Sequence, residues 1–419
     1  MIRARRLLVV LLIVVIALLA VRAVADIWLK RRSKTEIARL EEQYGPLQYD
    51  AVRKLRAWKS WPQRIAPENR ARLIDAAAAR VTISDANANF MYHPHTGTSV
   101  TADQARSIAD GNREAVQLAI AAANLRHSNW DIAYLGEADN VPNLMDLFYL
   151  SKVLTCAARS DADAGRADDA IADVRAGFAQ SAAMGSEPLR VMLINAIQIA
   201  YAQTDALKDV LNRSEPSGPA LAALASTLDE NLIASPAREA LLGELKHSRF
   251  TWPWVMDGWL WGRRALDYST PTPPTAWMRA VAWTFRPVIR YMALRDYAEK
   301  ARAVDLASLS AVERAEQLPA LRSLAASAIR SADLASGSIA RAAIAVALRR
   351  FRIDHGAYPN TLDELAPAYL KNVPIDAFTG KQPEYRRSGA GFELPAQMPS
   401  RDSGNWNGGK DGHVWKVSR

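Results

Sequence analysis

The chain has 419 residues, of which 49% are hydrophobic, 23% charged and 8% aromatic, a globular composition that excludes a disordered, collagenous or low-complexity chain. Its single cysteine, Cys156, excludes an intramolecular disulfide framework and a thiolate zinc cluster. The formal net charge is +9, but residues 1–34 hold eight basic residues and one acidic residue, so residues 35–419 carry only +2. The excess of basic residues therefore lies mostly in the N-terminal segment and does not indicate a nucleic-acid-binding surface.

The N-terminal segment predicts a membrane anchor over residues 1–34. Residues 7–21 are fifteen consecutive apolar residues that follow three arginines, and apolar residues resume after Arg22. The whole run has about the 20-residue length that a bilayer requires, and Trp28 occupies a position typical of an aromatic residue at the membrane interface. The residues that we assign to the anchor are Leu7, Val14, Val21 and Trp28.

Two features of this segment leave alternatives open. The small residues Ala23 and Ala25 form a cleavage pattern, so a signal peptide that ends at Ala25 competes with an uncleaved anchor. The basic cluster at residues 30–34 disfavours export of a cleaved product, but it also places positive charge on both sides of the segment. We expect the body outside the cytoplasm, because export is the usual fate of a chain behind one N-terminal apolar segment. A body inside the cell is the alternative.

Residues 35–337 predict an all-α body. Apolar residues recur mostly at three and four positions, alanine is abundant, and no run of alternating β-branched residues occurs. The helical pair around Gly165 resembles a tetratricopeptide-repeat hairpin, but no second copy follows at a fixed period, so we expect an irregular superhelix. The predicted helices are residues 34–43, 67–80, 101–125, 143–160, 167–184, 188–211, 219–232, 236–245, 277–303 and 311–351.

Polar, aperiodic stretches at residues 84–99 and 212–218 predict loops, and the proline-rich residues 251–275 predict a long irregular connection. Half of the twelve tryptophans lie in or beside that connection. Three interpretations stay open: an aromatic core beneath the connection, a contact with a membrane or partner protein that nearby arginines favour, and a carbohydrate-stacking surface. These tryptophans are Trp252, Trp254, Trp259, Trp261, Trp277 and Trp283.

Residues 338–419 predict a small α+β module behind the end of a long helix. Gly356 can adopt the left-handed backbone conformation that ends a helix, and Pro359 prevents the helix from resuming. Thr361 and Glu364 form a capping box for a short helix. The strands that we expect are residues 383–387, 391–394 and 414–417, the first two forming a hairpin.

This module resembles the C-terminal half of the major pseudopilin of type II secretion systems, in which a long helix leads into a Tyr-Arg-x-Asp-x-Gly-x-Tyr-Pro segment, a Pro-x-Asp turn and a Tyr-Arg hairpin. The resemblance implies an envelope protein. The N-terminal segment lacks the prepilin-peptidase signature, so the chain is not processed as a pilin subunit. The matching residues are Phe351, Arg352, Asp354, Gly356, Tyr358, Pro359, Leu362, Pro374, Asp376, Gly380, Tyr385, Arg386, Phe392 and Leu394.

The glycine-rich residues 402–412 resemble the loop that holds calcium in major pseudopilins. Asp402 and Asp411 are the ligands that this resemblance implies, and carboxylate and carbonyl oxygens on sharp glycine turns suit Ca²⁺. Only two carboxylates are present and Lys410 lies between them, so a plain flexible turn is the alternative. We expect no other cofactor.

The whole chain also resembles a group of functionally uncharacterised bacterial single-pass membrane proteins. In that group, one apolar N-terminal helix is followed by a helix that starts with Pro-Glu-Asn-x-Ala, by an alanine-rich hairpin and by a pseudopilin-like end. In this chain the Pro-Glu-Asn-x-Ala pattern begins at Pro67. The resemblance implies a bacterial inner-membrane location with a periplasmic body and supplies no activity. The matching hairpin residues are Asp161, Gly165, Ala170 and Asp173.

The sequence holds no readable catalytic constellation. His93 and His95 are interpreted as surface histidines and Cys156 as a buried small hydrophobic residue. We therefore expect a non-enzymatic scaffold or assembly protein with protein partners, associated with a type II secretion or type IV pilus-like system. The alternative is a periplasmic carbohydrate-binding or hydrolytic protein that uses residues 252–283, which leaves enzymatic activity open.

Overall fold

The computed structural model describes residues 2–47, 68–92, 100–130, 132, 141–231, 237–246, 276–309, 313–314, 317, 324–375, 381–395 and 414–418. The protein is mainly helical, with an apolar N-terminal helix and small strands near the C-terminus, which confirms the predicted fold class at that level. The chain forms two compact units. One comprises Met1–Lys54, Ala133–Asp139 and Leu242–Val304, and the other Leu55–Ile132, Asn140–Leu241 and Asp305–Arg419.

The elements of the described residues are numbered in chain order. The helices are α1 Ile2–Tyr44, α2 Arg70–Ala78, α3 Asp85–Tyr92, α4 Ala102–Gly111, α5 Arg113–Ala123, α6 Leu144–Asp163, α7 Ala167–Gly185, α8 Arg190–Arg213, α9 Gly218–Asn231, α10 237–246, α11 Ala276–Ala307 and α12 Leu324–His355. A 3₁₀ turn occupies Leu362–Leu365. The strands are β1 Arg386–Ser388, β2 Gly391–Pro395 and β3 Val414–Val417.

Helix α1 joins the predicted anchor and the predicted helix 34–43 without a break. Residues 2–44 contain neither glycine nor proline, and the helix ends where Gly45 adopts a φ of 74° before Pro46. The Lys246 ammonium then donates to the carbonyl oxygens of Tyr44 (2.8 Å) and Pro46 (3.1 Å). A cation at this position satisfies terminal carbonyls and complements the helix dipole.

Two predictions for the body are wrong. The helix predicted over residues 101–125 is broken at Asn112, whose buried side-chain amide accepts from Thr82 N and donates to Thr82 O. These two hydrogen bonds hold the Asn112 backbone outside helical geometry, so a new helix, α5, begins after it. The loop predicted at residues 84–99 contains helix α3 instead, because Met91 is fully buried and tertiary packing outweighs the polar composition.

A hydrophobic core shared by many elements lies in the second unit. Gly165, with a φ of 76°, connects α6 and α7 as an antiparallel hairpin, as predicted. Side chains from α6, α7, α8, α9 and α12 pack with the 3₁₀ turn, β2 and β3 in one cluster. Members of this cluster include Ala158, Phe178, Leu207, Leu224, Ile344, Leu362, Phe392 and Val417.

The C-terminal elements follow the predicted order. Helix α12 ends before Gly356, which has a φ of 74°, and Glu364 closes the predicted capping box by accepting from Thr361 N at 3.0 Å. Strands β1 and β2 are antiparallel around Gly389. Strand β3 adds antiparallel to β2, with Phe392 opposite Val417, which gives the order β1-β2-β3.

Candidate functional site

The most unusual surface of the described chain is the apolar part of α1. Val10, Leu11, Leu12 and Ile13 are 60%, 61%, 55% and 60% exposed, and four consecutive residues cover a full helical turn. No side of this turn is therefore covered by the described residues. Val14, Val21 and Trp28 are exposed as well. A helix that is apolar on every side requires an apolar environment, and this one is long and apolar enough to span a membrane.

A charged junction lies at the end of this apolar surface. Asp26 Oδ1 lies 2.5 Å from Arg290 Nη1, which also donates to Asp26 O at 3.0 Å. Both side chains are about four-fifths buried. Farther along α1, the Arg32 guanidinium lies 5.1 Å from the centroid of the Trp28 ring. The Asp26–Arg290 pair neutralises a carboxylate beside the apolar surface, and its separation of 264 residues leaves no signal in the sequence.

Lys152 and Cys156 lie one turn apart on α6, where Lys152 is partly buried and Cys156 is buried. The Lys152 ammonium donates to the carbonyl oxygens of Phe90 (2.6 Å) and Met91 (3.0 Å), and burial lowers its pKa to about 8. Burial raises the pKa of the Cys156 thiol to about 12, so the sulfur is protonated at neutral pH. A buried thiol of this kind is unreactive. The predicted role of Cys156 as a small buried residue is confirmed.

Other buried polar side chains link helices to one another. Gln180 Nε2 donates to Leu147 O at 2.7 Å, and Gln203 Nε2 donates to Ser151 O at 3.2 Å. Gly177 permits the second contact, because a Cβ atom there would lie 2.2 Å from the Gln203 side chain. These amides bind backbone carbonyls and so support packing within the α6–α8 region.

Asp173 is the most deeply buried carboxyl of the α6–α7 hairpin. Burial raises its pKa well above the ordinary value, and the nearby Asp161 and Asp169 raise it further. The raised pKa favours the neutral form of this buried carboxyl. The neighbouring Asp168 and Asp169 are exposed.

Several residues on which the predicted pseudopilin resemblance rests pack together in the C-terminal module, whereas Asp376 and Gly380 lie outside the described residues. Tyr358 is buried with its ring 5.1 Å from that of Phe392, and the Arg352 guanidinium lies 5.3 Å from the Tyr358 ring centroid. Tyr385 OH donates to Pro359 O at 2.9 Å. These residues make the packing and hydrogen bonds of the module itself.

The module is also fixed to helix α8. The Asn212 amide donates to Lys416 O and accepts from Ser418 N, each at 3.0 Å, so one side chain pairs with the outer edge of strand β3. Arg349 donates to Leu211 O. Both contacts belong to the second unit.

Several predicted site residues lie outside the described residues. These are Trp252, Trp254, Trp259, Trp261, Asp402, Asp411, His93 and His95. The backbones of Trp277 and Trp283 belong to helix α11, but their side chains are not described. Among the residues that the structure describes, no three His, Cys, Asp or Glu side chains come together in a group suited to a metal ion.

Comparison with known proteins finds no matching family model, curated protein or solved structure. The class that the fold and the described surface define is therefore a mainly helical protein with an N-terminal helix suited to a membrane.

Proposed function

We propose that the protein is a membrane-anchored, non-enzymatic scaffold, held in the bacterial inner membrane by α1 with its body in the periplasm. The observation that carries the proposal is the exposure of apolar side chains on every side of α1. Burying apolar surface is worth roughly 25 cal/mol per Å², so a helix of this kind is costly in water and stable in hydrocarbon.

The chemistry of three titratable groups in the described body supports a binding role over catalysis. The part-buried Lys152 is held by backbone carbonyls, and burial favours the neutral forms of Cys156 and Asp173. A catalytic acid, base or nucleophile has to meet a substrate in the protonation state that the chemistry needs. A body of packed helical hairpins instead offers extended surfaces for protein segments.

Association with a secretion or pilus-like system is supported by the C-terminal module. Its elements follow the order that the pseudopilin resemblance implies: a helix end, a capped turn, a hairpin and a last strand. Strand β1 is fully exposed and carries Arg386 and Arg387 at the edge of the sheet. We assign partner contact to this edge.

The first test is membrane topology. A reporter that is active only in the periplasm is fused behind a flexible linker after Arg419, and membranes are washed with alkaline carbonate. We expect an active fusion that stays with the membranes. A released periplasmic product would indicate cleavage after Ala25, and an inactive fusion would place the body in the cytoplasm. Either result contradicts the proposal.

The second test is crosslinking of the full chain in membranes. Removing residues 338–419 is unsuitable, because Ile344, Phe392 and Val417 belong to the core. We instead exchange Arg386 and Arg387 together for Glu, with the exposed Arg113→Glu on α5 as the matched control. Loss of crosslinked secretion or pilus components in the double variant alone is the expected result. Unchanged partners in both variants would remove the β1 edge from the proposal.

A further inference from the structure

A cluster of basic side chains follows the apolar surface of α1. Its four members lie within five consecutive positions, and all of them are exposed. The first comes two residues after Trp28, the exposed aromatic residue at the end of the apolar surface. At the rise of an α-helix, the cluster occupies the first ~9 Å of α1 after Trp28. The members of this basic cluster are Lys30, Arg31, Arg32 and Lys34.

The protein itself covers a different side of α1 at this level. Leu29 and Leu40 are 6% and 0% exposed, and Ser33 between them is half-buried. Successive residues of an α-helix differ in direction by about 100°, so these three side chains lie on one side of α1. The four basic residues lie outside that side. The basic cluster is therefore directed away from the packing of the first unit.

Three cations of the cluster share one face of α1. Lys30 and Lys34 are four residues apart, and Arg31 and Lys34 are three apart, so these side chains are neighbours on the helix surface. Like charges at these spacings destabilise a helix. The C-terminus of α1 at Tyr44 is more than two turns beyond Lys34, so the helix dipole does not account for the charge. An anion beside this face would relieve the repulsion.

The nearest acidic residues along α1 have other partners. Residues 27–35 contain no Asp or Glu. Asp26, which precedes them, pairs with Arg290. Glu36, which follows them, accepts from the Arg39 guanidinium at 2.7 and 3.2 Å. In the part of the chain that the structure describes, no ion pair includes a member of the basic cluster, which leaves the cluster available to an external anion.

Arg32 is held close to Trp28. Its guanidinium lies 5.1 Å from the centroid of the Trp28 ring, one turn earlier in α1. Tryptophan is typical of the level at which membrane helices meet the lipid headgroups. A guanidinium binds two phosphate oxygens through parallel hydrogen bonds. Arg32 therefore presents a phosphate-binding group at the end of the apolar surface.

We propose that the basic cluster binds the phosphate groups of anionic phospholipids, on the side of the bilayer that faces the body. This inference rests on the proposed anchoring by α1 and names the lipid that the anchor selects. If α1 spans the bilayer, headgroups surround the residues that follow Trp28, so position determines the occupant of this surface. The single sign of the charges and their spacing then favour anionic over zwitterionic headgroups.

The test compares two quencher-labelled lipids beside one position of the full chain. Ile27→Cys carries a small fluorophore, because Ile27 is exposed one turn before Lys30 and Arg31 on the same face. The native Cys156 is buried with its pKa raised to about 12 and does not react. Phosphatidylcholine vesicles contain a small fraction of either phosphatidylglycerol or phosphatidylcholine with the same quencher on the upper acyl chain. The ratio of the two quenching efficiencies measures enrichment of the anionic lipid.

We expect the labelled parent protein to enrich phosphatidylglycerol by at least about threefold. The enrichment should decrease when salt is raised from about 0.05 M to about 0.5 M, because salt screens exposed charges. Exchange of all four cluster residues for Gln, which preserves helix propensity, should bring the ratio to about one. The matched control removes four exposed arginines of the second unit and should keep the parent ratio. Its substitutions are Arg72→Gln, Arg106→Gln, Arg113→Gln and Arg126→Gln.

The outcomes separate this inference from the proposed anchor. Equal quenching of the parent protein by both lipids overturns the inference and leaves the anchor intact. Absence of quenching by either lipid overturns the anchor itself. An equal loss of enrichment in both fourfold variants would attribute it to net charge, and enrichment that survives without the cluster would assign it to another surface. Both results contradict the inference. The pair Arg31→Gln and Lys34→Gln, with a smaller expected loss, repeats the test if the fourfold variant expresses poorly.

Discussion

Helices α1 and α12 are both long and apolar enough to span a membrane, yet they have opposite surroundings. The apolar stretch of α1 has none of its residues buried, whereas 83% of the corresponding stretch in Ser327–His355 is buried inside the protein. Their compositions explain the contrast. Large aliphatic residues dominate α1, whereas α12 is rich in alanine, which lets neighbouring helices approach closely. The size of the apolar residues therefore distinguishes the exposed α1 from the buried α12 better than the length of the apolar stretch does.

Polar residues sharpen the same contrast. Within α12, Asp333 pairs with Arg314, and Arg349 donates to a backbone carbonyl oxygen of α8. Residues 7–21 of α1 contain no polar residue at all. A charged side chain inside an apolar helix thus indicates that the helix packs against other parts of the protein. The absence of such a side chain is typical of a helix that faces lipid.

The largest expected effect comes from a charge in the buried helix. Ile344→Asp places a carboxylate in the core of the second unit, and we expect a loss of more than about 4 kcal/mol in the free energy of unfolding. The control is Ile353→Asp in the same helix, where the side chain is half exposed, with an expected change within about 0.5 kcal/mol. Urea unfolding measures both. Equal losses at the two positions would refute the assignment of α12 to the core.

The same chemical change in α1 has a different consequence. Val14→Asp is expected to disfavour membrane insertion by about 2.5–3.5 kcal/mol and to leave the unfolding of the body unchanged. Carbonate extraction measures retention, with Val14→Leu as the apolar control. Retention of the Asp variant at the control level would show that α1 is not held by hydrocarbon.

A smaller effect tests the interior of the α6–α7 hairpin. The native pKa of Asp173 is raised above its ordinary value of 3.8, so the native state keeps a proton that the unfolded chain releases. The free energy of unfolding therefore falls as pH rises above that value, and Asp173→Asn removes this contribution. We expect the wild-type protein to lose stability relative to the variant between acidic and neutral pH. The exposed Asp169→Asn is the control, and parallel pH curves for Asp173→Asn would contradict a buried neutral carboxyl.

The smallest effect concerns the attachment of strand β3. Asn212→Ala removes two hydrogen bonds to the edge of that strand, for an expected loss of about 1–2 kcal/mol. Asn195→Ala on the same helix removes only a local bond to Val191 O and is expected to change little. Hydrogen exchange of the Ser418 amide reports the attachment directly. Unaltered protection of that amide would show that the Asn212 contact contributes nothing.

Local chemistry explains which elements were predictable. Gly165, Gly356 and the Thr361–Glu364 box act through their own neighbours in the chain, and the structure confirms each of them. The break at Asn112 was not predictable, because it depends on Thr82, 30 residues away. The apolar surface of α1 could be recognised from the sequence, whereas the Asp26–Arg290 pair depends on a contact between distant segments.

The shared core of the second unit imposes an order on synthesis. Ala158 and Val417 belong to the same cluster, so helices α6–α9 cannot finish burying their apolar faces until the ribosome has passed residue 417. If α1 inserts as proposed, the chain is tethered to the membrane long before that point. Closing contacts over such a separation is slow. A nascent chain that stalls before β3 would then be a membrane-bound protein with an open core, a preferred substrate for quality-control proteases.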